Sequence, residues 1–313
     1  MLRNYRSGDE AAIVNLWNEA CPQDPMSLEV FAKRVLVDPN FNPEGFIIYE
    51  RDDRVLGFLL AIVRKLPLSG SNLEPENGWI TAFFVAPSVR RQGVATHMME
   101  EANAFLLSEG RKRVYFSSYA PNYFVPGMDE ATYPAGKAWL LKQGFRVLYP
   151  AVAMDKNLVG YAYPDDVRQL ETQRMEEGYA FEPLTYSYLT DVIRMNDEVF
   201  NPDWARAIRE AVAHDVPMEQ VLIARKGEEV VGFCMYGAYD GVGERFGPFG
   251  VHPDLRGLGI GKILLYKCLH VMRANGLHNA WFLWTGETSA AGRLYIRAGF
   301  SVTRRFEIMV KDL

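Results

Sequence analysis

The sequence predicts an α/β protein made of two similar domains in tandem, and three observations lead to this prediction. The chain has 313 residues, about twice the length of an average domain. A frame of Val-x-Pro-x-x-Arg-x-x-Gly-x-Gly/Ala starts at Val85 and again at Val251, 166 positions later. Strand-like and helix-like apolar patterns alternate around both copies of this frame.

Each copy begins with a strand and an amphipathic helix. In the first copy we predict the strand over residues 2–5 and place Ile13, Leu16 and Trp17 on one helix face. The second copy repeats this pattern from Phe181 onwards. Two paired strands joined by a short charged turn then follow in each copy. They are predicted over residues 45–50 and 55–64, and over residues 221–226 and 230–236.

The strand before each frame is predicted over residues 79–85 and 246–251. Gly247 and Pro248 disfavour regular pairing, because proline donates no hydrogen bond and glycine loosens a strand. We therefore expect a bulge or a splay at this point. Helices over 92–109 and 259–275, each ended by a glycine, lead to strands over 113–119 and 280–285 whose apolar character predicts burial on both faces.

The two copies then diverge. The first copy carries about eleven extra residues around 120–132, since Gly110 and Gly144 are 34 positions apart whereas Gly276 and Gly299 are 23 apart. The inserted residues are aromatic and proline-rich, and we expect Tyr123 and Phe124 to line a pocket. Each copy ends in a helix, a Gly-Phe pair and a last strand. The predicted domains are residues 1–159 and 178–313, joined by a charged linker helix over 160–177.

Composition narrows the class of protein. Hydrophobic residues make up 49% of the chain and charged residues 23%, as in folded soluble enzymes. The net charge of −5 argues against a nucleic acid as partner, because nucleic-acid-binding domains carry a basic stripe. The three cysteines are isolated, so we expect neither disulfides nor a metal site, and a reducing cytoplasm as location. Residues 1–6 lack the apolar core of a signal peptide, so we do not expect them to form one. No apolar run reaches the ~20 residues of a membrane span.

The glycine-rich turn before each long helix has the chemistry of an anion site. Small residues leave successive backbone N–H groups unshielded at a helix start, where the helix dipole favours negative charge. Basic side chains flank the turn, so a phosphate or pyrophosphate is the expected ligand. The residues expected to hold it are Arg256, Gly257, Leu258, Gly259, Ile260, Gly261 and Lys262 in the second copy and Arg90, Arg91, Gln92, Gly93, Val94, Ala95 and Thr96 in the first.

The frame resembles the acyl-coenzyme-A pyrophosphate loop of the GNAT acetyltransferase superfamily. This resemblance implies two GNAT-like domains, each a mixed, mostly antiparallel sheet with a splayed parallel strand pair and flanking helices. It implies acetyl-CoA as acyl donor, with the pantetheine arm beside Phe249 and Val251 and, in the first copy, beside Val85. A Walker loop does not fit, because no Gly-Lys-Ser/Thr follows, and the glycine spacing differs from a dinucleotide fingerprint.

The segment 288–300 resembles the Asn-x-x-Ala-x-x-x-Tyr-x-x-x-Gly-Phe motif of the same superfamily. The resemblance places Tyr295 beside the coenzyme sulfur, where its hydroxyl would protonate the leaving thiolate, and Thr288 at the asparagine position. The alternative is that Tyr295 is a packing residue of a buried helix. The first copy has Leu140 at the tyrosine position and Tyr133 at the asparagine position. We therefore expect the chemistry mainly in the second domain.

An acceptor amine is largely protonated near neutral pH, so a general base or a water chain would help the reaction. The candidates facing the second cleft are Glu244, Asp240 and Glu287, with Glu244 preferred, although each also fits a solvated loop charge. His252, between Val251 and a proline, is expected at the surface.

The predicted function is transfer of an acetyl group from acetyl-CoA to an amine of a small molecule or peptide, by direct attack in a ternary complex. One alternative is a similarity to the mycothiol synthases, which share the tandem layout and acetylate a thiol-sugar amine. Another is a sensor or scaffold that binds coenzyme A without turnover. A monomer and a homodimer both fit the sequence, and neither a nucleic acid nor a membrane is expected as partner.

Overall fold

The computed structural model describes residues 1–68, 73–239 and 241–313. These residues form two compact units, each containing helices and strands. The first unit comprises Met1–Pro67, residues 73–151 and Arg305–Leu313, and the second consists chiefly of Val152–Arg304. Within the described part of the chain, no helix has both the length and the apolar character needed to cross a bilayer.

The predicted helices and strands are found in the predicted order, and the helices over 28–31 and 202–213 are additional to them. The helices are α1 (Glu10–Ala20), α2 (Leu28–Phe31), α3 (Val94–Ser108), α4 (Pro134–Lys142), α5 (Asp165–Glu176), α6 (Tyr186–Met195), α7 (Pro202–Ala213), α8 (Ile260–Ala274) and α9 (Ala290–Arg297). The strands are β1 (Leu2–Asn4), β2 (Phe46–Arg51), β3 (Arg54–Val63), β4 (Asn77–Val85), β5 (Arg113–Phe116), β6 (Arg146–Asn157), β7 (Tyr179–Pro183), β8 (Val221–Lys226), β9 (Glu229–Tyr236), β10 (Phe246–Val251), β11 (Asn279–Thr285) and β12 (Ser301–Asp312).

The sheet of the first unit is antiparallel except for one strand pair. Strands β1 to β4 lie side by side in antiparallel pairs, and β4 then pairs in parallel with β5. The parallel pairing joins residues 77–80 to residues 113–116, and β4 continues to Val85 without it. The predicted splayed parallel pair is therefore confirmed. Strand β3 is buried continuously over residues 56–63, as expected for a central strand covered on both faces.

The second unit holds an antiparallel sheet in the order β10-β9-β8-β7. Strand β11 pairs antiparallel with residues 152–157 of β6, and a parallel bridge joins Arg245 to Trp281. A register shift lies between Phe246 and Phe249 on β10. The irregularity predicted from Gly247 and Pro248 is thus confirmed.

Strands β6 and β12 are each divided between the units. Residues of β6 from Val152 onwards belong to the second unit, and residues of β12 from Arg305 onwards belong to the first. In the first unit, residues 309–312 of β12 pair antiparallel with β5, and Met309 and Val310 are almost fully buried there. The compact units therefore differ from the sequence repeats predicted over residues 1–159 and 178–313.

The predicted linker helix is present as α5 and packs within the second unit. Val167 is fully buried in the core of this unit, and Leu170 packs against the same core. On the polar side of α5, two lysines of α8 bond its carboxylates at 2.6 and 2.5 Å, in the pairs Lys262–Asp166 and Lys267–Glu171. Helix α5 is therefore fastened along α8, next to the second glycine-rich turn.

Candidate active site

A cavity of about 1060 Å³ opens in the first unit where β4 and β5 separate. Its walls include residues 81–85 of β4, Phe116 and Ser117 after the parallel pairing, the first turn of α3, and α4. Part of the loop between α1 and α2 and part of the insertion after β5 complete the lining. Cavities of this size accommodate a cofactor-sized ligand, and their position beside a sheet opening is typical of binding sites.

The edge of β4 that faces away from β3 offers backbone hydrogen-bonding groups to this cavity beyond the point where β5 separates. The N–H of Ala86 donates to the carbonyl of Leu56 in the β2–β3 hairpin at 2.8 Å. N–H groups alternate between the two edges of a strand, so those of Phe83 and Val85 point toward the opposite edge. Strand β5 leaves this edge at the 2.8 Å bond from Ser117 N–H to the Ile80 carbonyl. An extended ligand can therefore pair with β4 as an added strand.

The first glycine-rich turn lies at the cavity, at the start of α3. Gly93 has a φ of +81°, a left-handed conformation that costs a residue with a side chain about 1–2 kcal/mol. The side chain of Arg90 donates to the Val85 carbonyl at 3.0 Å and lies over Phe84. Residues 90–93 are exposed, and the nearest atom to a Cβ added at Gly93 would be Cε1 of His97, 3.6 Å away. The amides of this turn are therefore accessible to an anion.

The second glycine-rich turn has the same backbone, but side chains cover it. Gly259 also has a φ of +81° at the start of α8. A Cβ added at Gly259 would lie 2.7 Å from Cδ2 of Leu170, so this leucine of α5 packs directly on the glycine. The ammonium group of Lys262 is engaged by the carboxylate of Asp166 at 2.6 Å. An apolar side chain and a carboxylate of α5 therefore lie beside this turn, whereas neither kind of contact is found at Gly93 among the described residues.

The neighbouring Gly261 is also covered. A Cβ at Gly261 would meet Phe249 at 3.3 Å, Val251 at 3.5 Å and Leu294 at 3.7 Å. Two of these contacts come from β10, the strand along which the pantetheine arm was predicted to lie. Phe249 and Val251, which were expected to contact the cofactor, therefore pack against the start of α8.

Tyr295, the predicted proton donor, lies in an aromatic cluster of the second unit. It is 6% exposed, and its ring centroid is 4.5 Å from that of Phe282 and 5.5 Å from that of Phe300. Phe246 and Phe249 of β10 contact the same ring at 5.8 and 6.0 Å. Burial raises the pKa of the Tyr295 phenol well above its usual range. These contacts match the packing role that the sequence left open.

The predicted base Glu244 is engaged with the backbone. Its carboxylate accepts a bond from the N–H of His278 at 3.3 Å. Glu287 and His252 are half-buried, and Asp240 lies outside the described residues. The other predicted residues of the second turn differ in exposure: Arg256, Gly257 and Thr288 are exposed, Leu258 and Val251 are half-buried, and Ile260 is buried.

In the first unit, the departures from the family motif lie in α4, at Gly136 and Leu140, and at Tyr133 just before it. Leu140 is 1% exposed and packs in the core, although it also borders the cavity. Tyr133 lines the cavity, and its hydroxyl donates to the carboxylate of Asp24 at 2.6 Å. The pKa of Tyr133 is raised well above its usual range, chiefly by burial and secondly by this hydrogen bond. The thiol of Cys21 interacts with the same hydroxyl, and burial raises the pKa of this thiol.

The loop after α1 holds Asp24 in a fixed position. The indole N–H of Trp17 donates to the Asp24 carbonyl at 2.5 Å. Asn18 bonds both backbone groups of Met26, at 2.8 and 2.7 Å. Asp24 was not among the predicted site residues, because its loop matches no motif. The sequence does show an aspartate three residues after Cys21, just after the helix in which Trp17 was predicted on the apolar face. This is the one local sign of a polar site in the loop.

The insertion of the first copy forms another wall of the cavity. Of the two residues predicted to line a pocket, Phe124 lines the cavity and Tyr123 does not. The ring centroid of Phe124 is 5.0 Å from that of Trp17. The Ser117 hydroxyl donates to the Val125 carbonyl, which ties the insertion to the end of β5. Met128 exchanges backbone bonds of 2.9 and 2.8 Å with Glu307 of β12.

Comparison with known proteins identifies a family for both units. The profile of the acetyltransferase (GNAT) family matches residues 11–124 and 181–300. A comparison with curated proteins finds no match.

Solved structures share the fold across the chain. A fungal GCN5-related glucosamine N-acetyltransferase region, within a multi-domain GH3 β-N-acetylglucosaminidase, matches 99% of this chain with a TM-score of 0.82 and 16% identity. This chain spans 38% of that one. A GCN5-related N-acetyltransferase from Sphaerobacter thermophilus matches at a TM-score of 0.72 and 18% identity, covering 100% of this chain and 95% of that chain. A tandem GNAT protein from the clavulanic acid biosynthesis pathway gives a TM-score of 0.61 and 16% identity, covering 100% and 98%.

Proposed function

Because the chain belongs to the acetyltransferase (GNAT) family, we propose that it transfers an acetyl group from acetyl-CoA to an amine and that the first unit carries this reaction. The observation that supports this assignment is the cavity of about 1060 Å³, with an open strand edge along one wall and an uncovered anion-binding turn beside it. The sequence favoured the second unit because of Tyr295. The cover formed by Leu170 and the aromatic packing of Tyr295 support the change of assignment.

The donor would be held by backbone groups of the first unit. The pyrophosphate would accept bonds from the N–H groups at the start of α3, with Arg90 and Arg91 adding positive charge. Each charge-assisted bond of this kind contributes about 1.5–3 kcal/mol. The pantetheine arm would pair with the edge of β4 at Phe83 and Val85, and a β4 amide would polarise the thioester carbonyl.

The acceptor would enter between the loop after α1 and the insertion after β5. Trp17 and Phe124 give this part of the cavity aromatic walls, and Asp24 gives it a carboxylate. Aromatic faces and a carboxylate attract a cationic amine. In the reaction, the amine nitrogen attacks the thioester carbon directly, so that the C–N bond forms and the C–S bond breaks within one ternary complex.

Titration calorimetry with coenzyme A tests where the donor binds. We expect one molecule per chain. Arg90→Ala should weaken binding at least ~10-fold, because one charge-assisted contact is lost. Arg256→Ala is the matched control, since this arginine holds the equivalent position in the second turn, and it should leave the affinity unchanged. Two sites per chain, or a loss confined to Arg256→Ala, would contradict the assignment.

Thiol release from acetyl-CoA tests the catalytic part of the proposal. The purified chain is mixed with acetyl-CoA and with benzylamine, an aliphatic polyamine or glucosamine as acceptor. Thiol release above the rate without protein supports acetyl transfer. Tight binding of coenzyme A without thiol release under any of these conditions would support the non-catalytic sensor or scaffold instead.

A further inference from the structure

Two side chains from separate elements meet at the acceptor end of the cavity in the first unit. Asp24 belongs to the loop after α1, and Tyr133 immediately precedes α4. The Tyr133 hydroxyl donates to the Asp24 carboxylate at 2.6 Å, and both residues line the cavity. The Trp17 bond to the Asp24 carbonyl fixes this loop. The pair is therefore held in one geometry beside the space that the substrates would share.

Acetyl transfer to an amine requires that one proton move from nitrogen to sulfur. The attacking nitrogen becomes acidic as the C–N bond forms, and the sulfur leaves as a thiolate that must be protonated. Leu140 has no proton to give, although it stands where the family motif has a tyrosine. The first unit therefore needs another group for this step, and Tyr133 is a hydroxyl-bearing residue of the same motif that lines the cavity.

We propose that Asp24 and Tyr133 form a proton relay for acetyl transfer in the first unit, an inference that rests on the function proposed above. The amine lone pair forms the C–N bond while the electrons of the C–S bond pass to sulfur. Asp24 takes the proton that the nitrogen loses. Tyr133 gives its hydroxyl proton to sulfur and recovers one from Asp24. The amine and thioester thus become an amide and a thiol, and both side chains return to their starting states.

The surroundings of the pair suit this role. The Tyr133 hydroxyl keeps its proton at neutral pH, because burial and the neighbouring carboxylate both disfavour the phenolate. The Cys21 thiol interacts with the Tyr133 hydroxyl, and the Arg90 guanidinium acts in turn on Cys21. Arg91, Asp129 and Lys142 are further charged residues that line the same cavity. Phe83 and Trp139, with ring centroids 5.0 Å apart, form an aromatic wall of the same cavity.

The test compares Asp24→Asn, Tyr133→Phe and the double variant in the full chain. Thiol release is measured with acetyl-CoA and with benzylamine or glucosamine, and coenzyme A affinity by calorimetry. Each single variant should lower kcat by at least ~100-fold, the usual effect of losing a general acid or base. The KM for acetyl-CoA and the affinity for coenzyme A should stay the same. Because a relay acts as one unit, the double variant should be no slower than the slower single variant.

Two conservative changes elsewhere in the first unit serve as controls. They are Tyr49→Phe, at a residue of β2, and Asp53→Asn, at a residue of the exposed β2–β3 turn. Both should keep the full rate. If neither amine raises thiol release above that of the protein with acetyl-CoA alone, the slow hydrolysis of acetyl-CoA is compared among the variants, and the same losses are expected.

The outcomes separate the relay from the function on which it rests. Normal kcat in Tyr133→Phe would overturn the relay and leave the proposed function intact. A raised KM for the amine with normal kcat in Asp24→Asn would show that the carboxylate only binds the acceptor, which also overturns the relay. Failure of the unaltered chain to bind coenzyme A would refute the proposed function itself.

Discussion

Replacing Gly93 and Gly259 with alanine, one at a time, separates the roles of the two glycine-rich turns. Both glycines have a φ of +81° at the start of a helix, so both substitutions carry the same backbone cost of about 1–2 kcal/mol. Their surroundings differ. The new methyl group would lie 3.6 Å from His97 at the first site, but 2.7 Å from Leu170 at the second.

These distances set the expected magnitudes. At Gly93 the methyl group makes an ordinary contact, so the stability loss should equal the backbone cost alone. At Gly259 the end of the half-buried Leu170 side chain must also shift, which adds about 1 kcal/mol, the low end of the cost of overpacking. Gly259→Ala should therefore unfold at the lower temperature. Gly93→Ala should instead bind coenzyme A about 10- to 100-fold more weakly, because a methyl group among the amides removes at least one charge-assisted bond.

Thermal unfolding and titration calorimetry with coenzyme A measure the two effects. Gly276→Ala is the matched control, since this glycine has a φ of +82° and no atom within 4 Å of an added Cβ. It should show the backbone cost with normal coenzyme A binding. If Gly259→Ala abolishes binding while Gly93→Ala binds like the unaltered chain, coenzyme A binds at the second turn and not at the first.

Three further changes test the side-chain packing inside each unit. Tyr295→Phe should leave thiol release unchanged, because the ring and not the hydroxyl fills the aromatic cluster; a large fall in kcat would return the chemistry to the second unit. Removal of residues 305–313 should unfold the first unit and abolish coenzyme A binding. Four buried side chains are lost at roughly 1.5–3 kcal/mol each, which approaches the whole stability of a domain. Circular dichroism and limited proteolysis detect this loss, and removal of Leu313 alone should leave the first unit folded. Phe124→Ala should raise the KM for the amine more than that for acetyl-CoA, since Phe124 packs on Trp17 at the acceptor end; equal changes in both KM values would contradict this placement.

Much of the fold could be predicted because local signals mark where the elements begin and end. The strand over residues 221–226 was predicted with its observed bounds, and the helix after the first loop, predicted over 92–109, runs over Val94–Ser108. Glycines in the left-handed region stand just outside both ends of that helix, at Gly93 and Gly110. Such signals depend on neighbouring residues alone and are therefore visible in one sequence.

The features that the sequence did not predict depend on contacts between distant residues. Leu170 lies in a charged helix, and nothing near it in the chain indicates that it packs on Gly259, 89 positions later. Asp24 and Tyr133 are likewise 109 positions apart. The apolar pattern of β12 predicts a buried strand but does not tell which strand it pairs with. Strand partners and site constellations are set by the tertiary fold, which periodicity does not report.

The pairing of β5 with residues 309–312 has a consequence for synthesis of the protein on the ribosome. All other strands of the first unit have been synthesised when translation reaches Ala151. The unit still needs residues 305–313, which pair with one edge of β5. At translation rates of about 5–20 residues per second, the nascent unit would wait on the order of ten seconds with this strand edge exposed. An exposed edge of this kind is open to pairing with other chains. We therefore expect the newborn chain to depend on protection from aggregation until residues 305–313 have been synthesised.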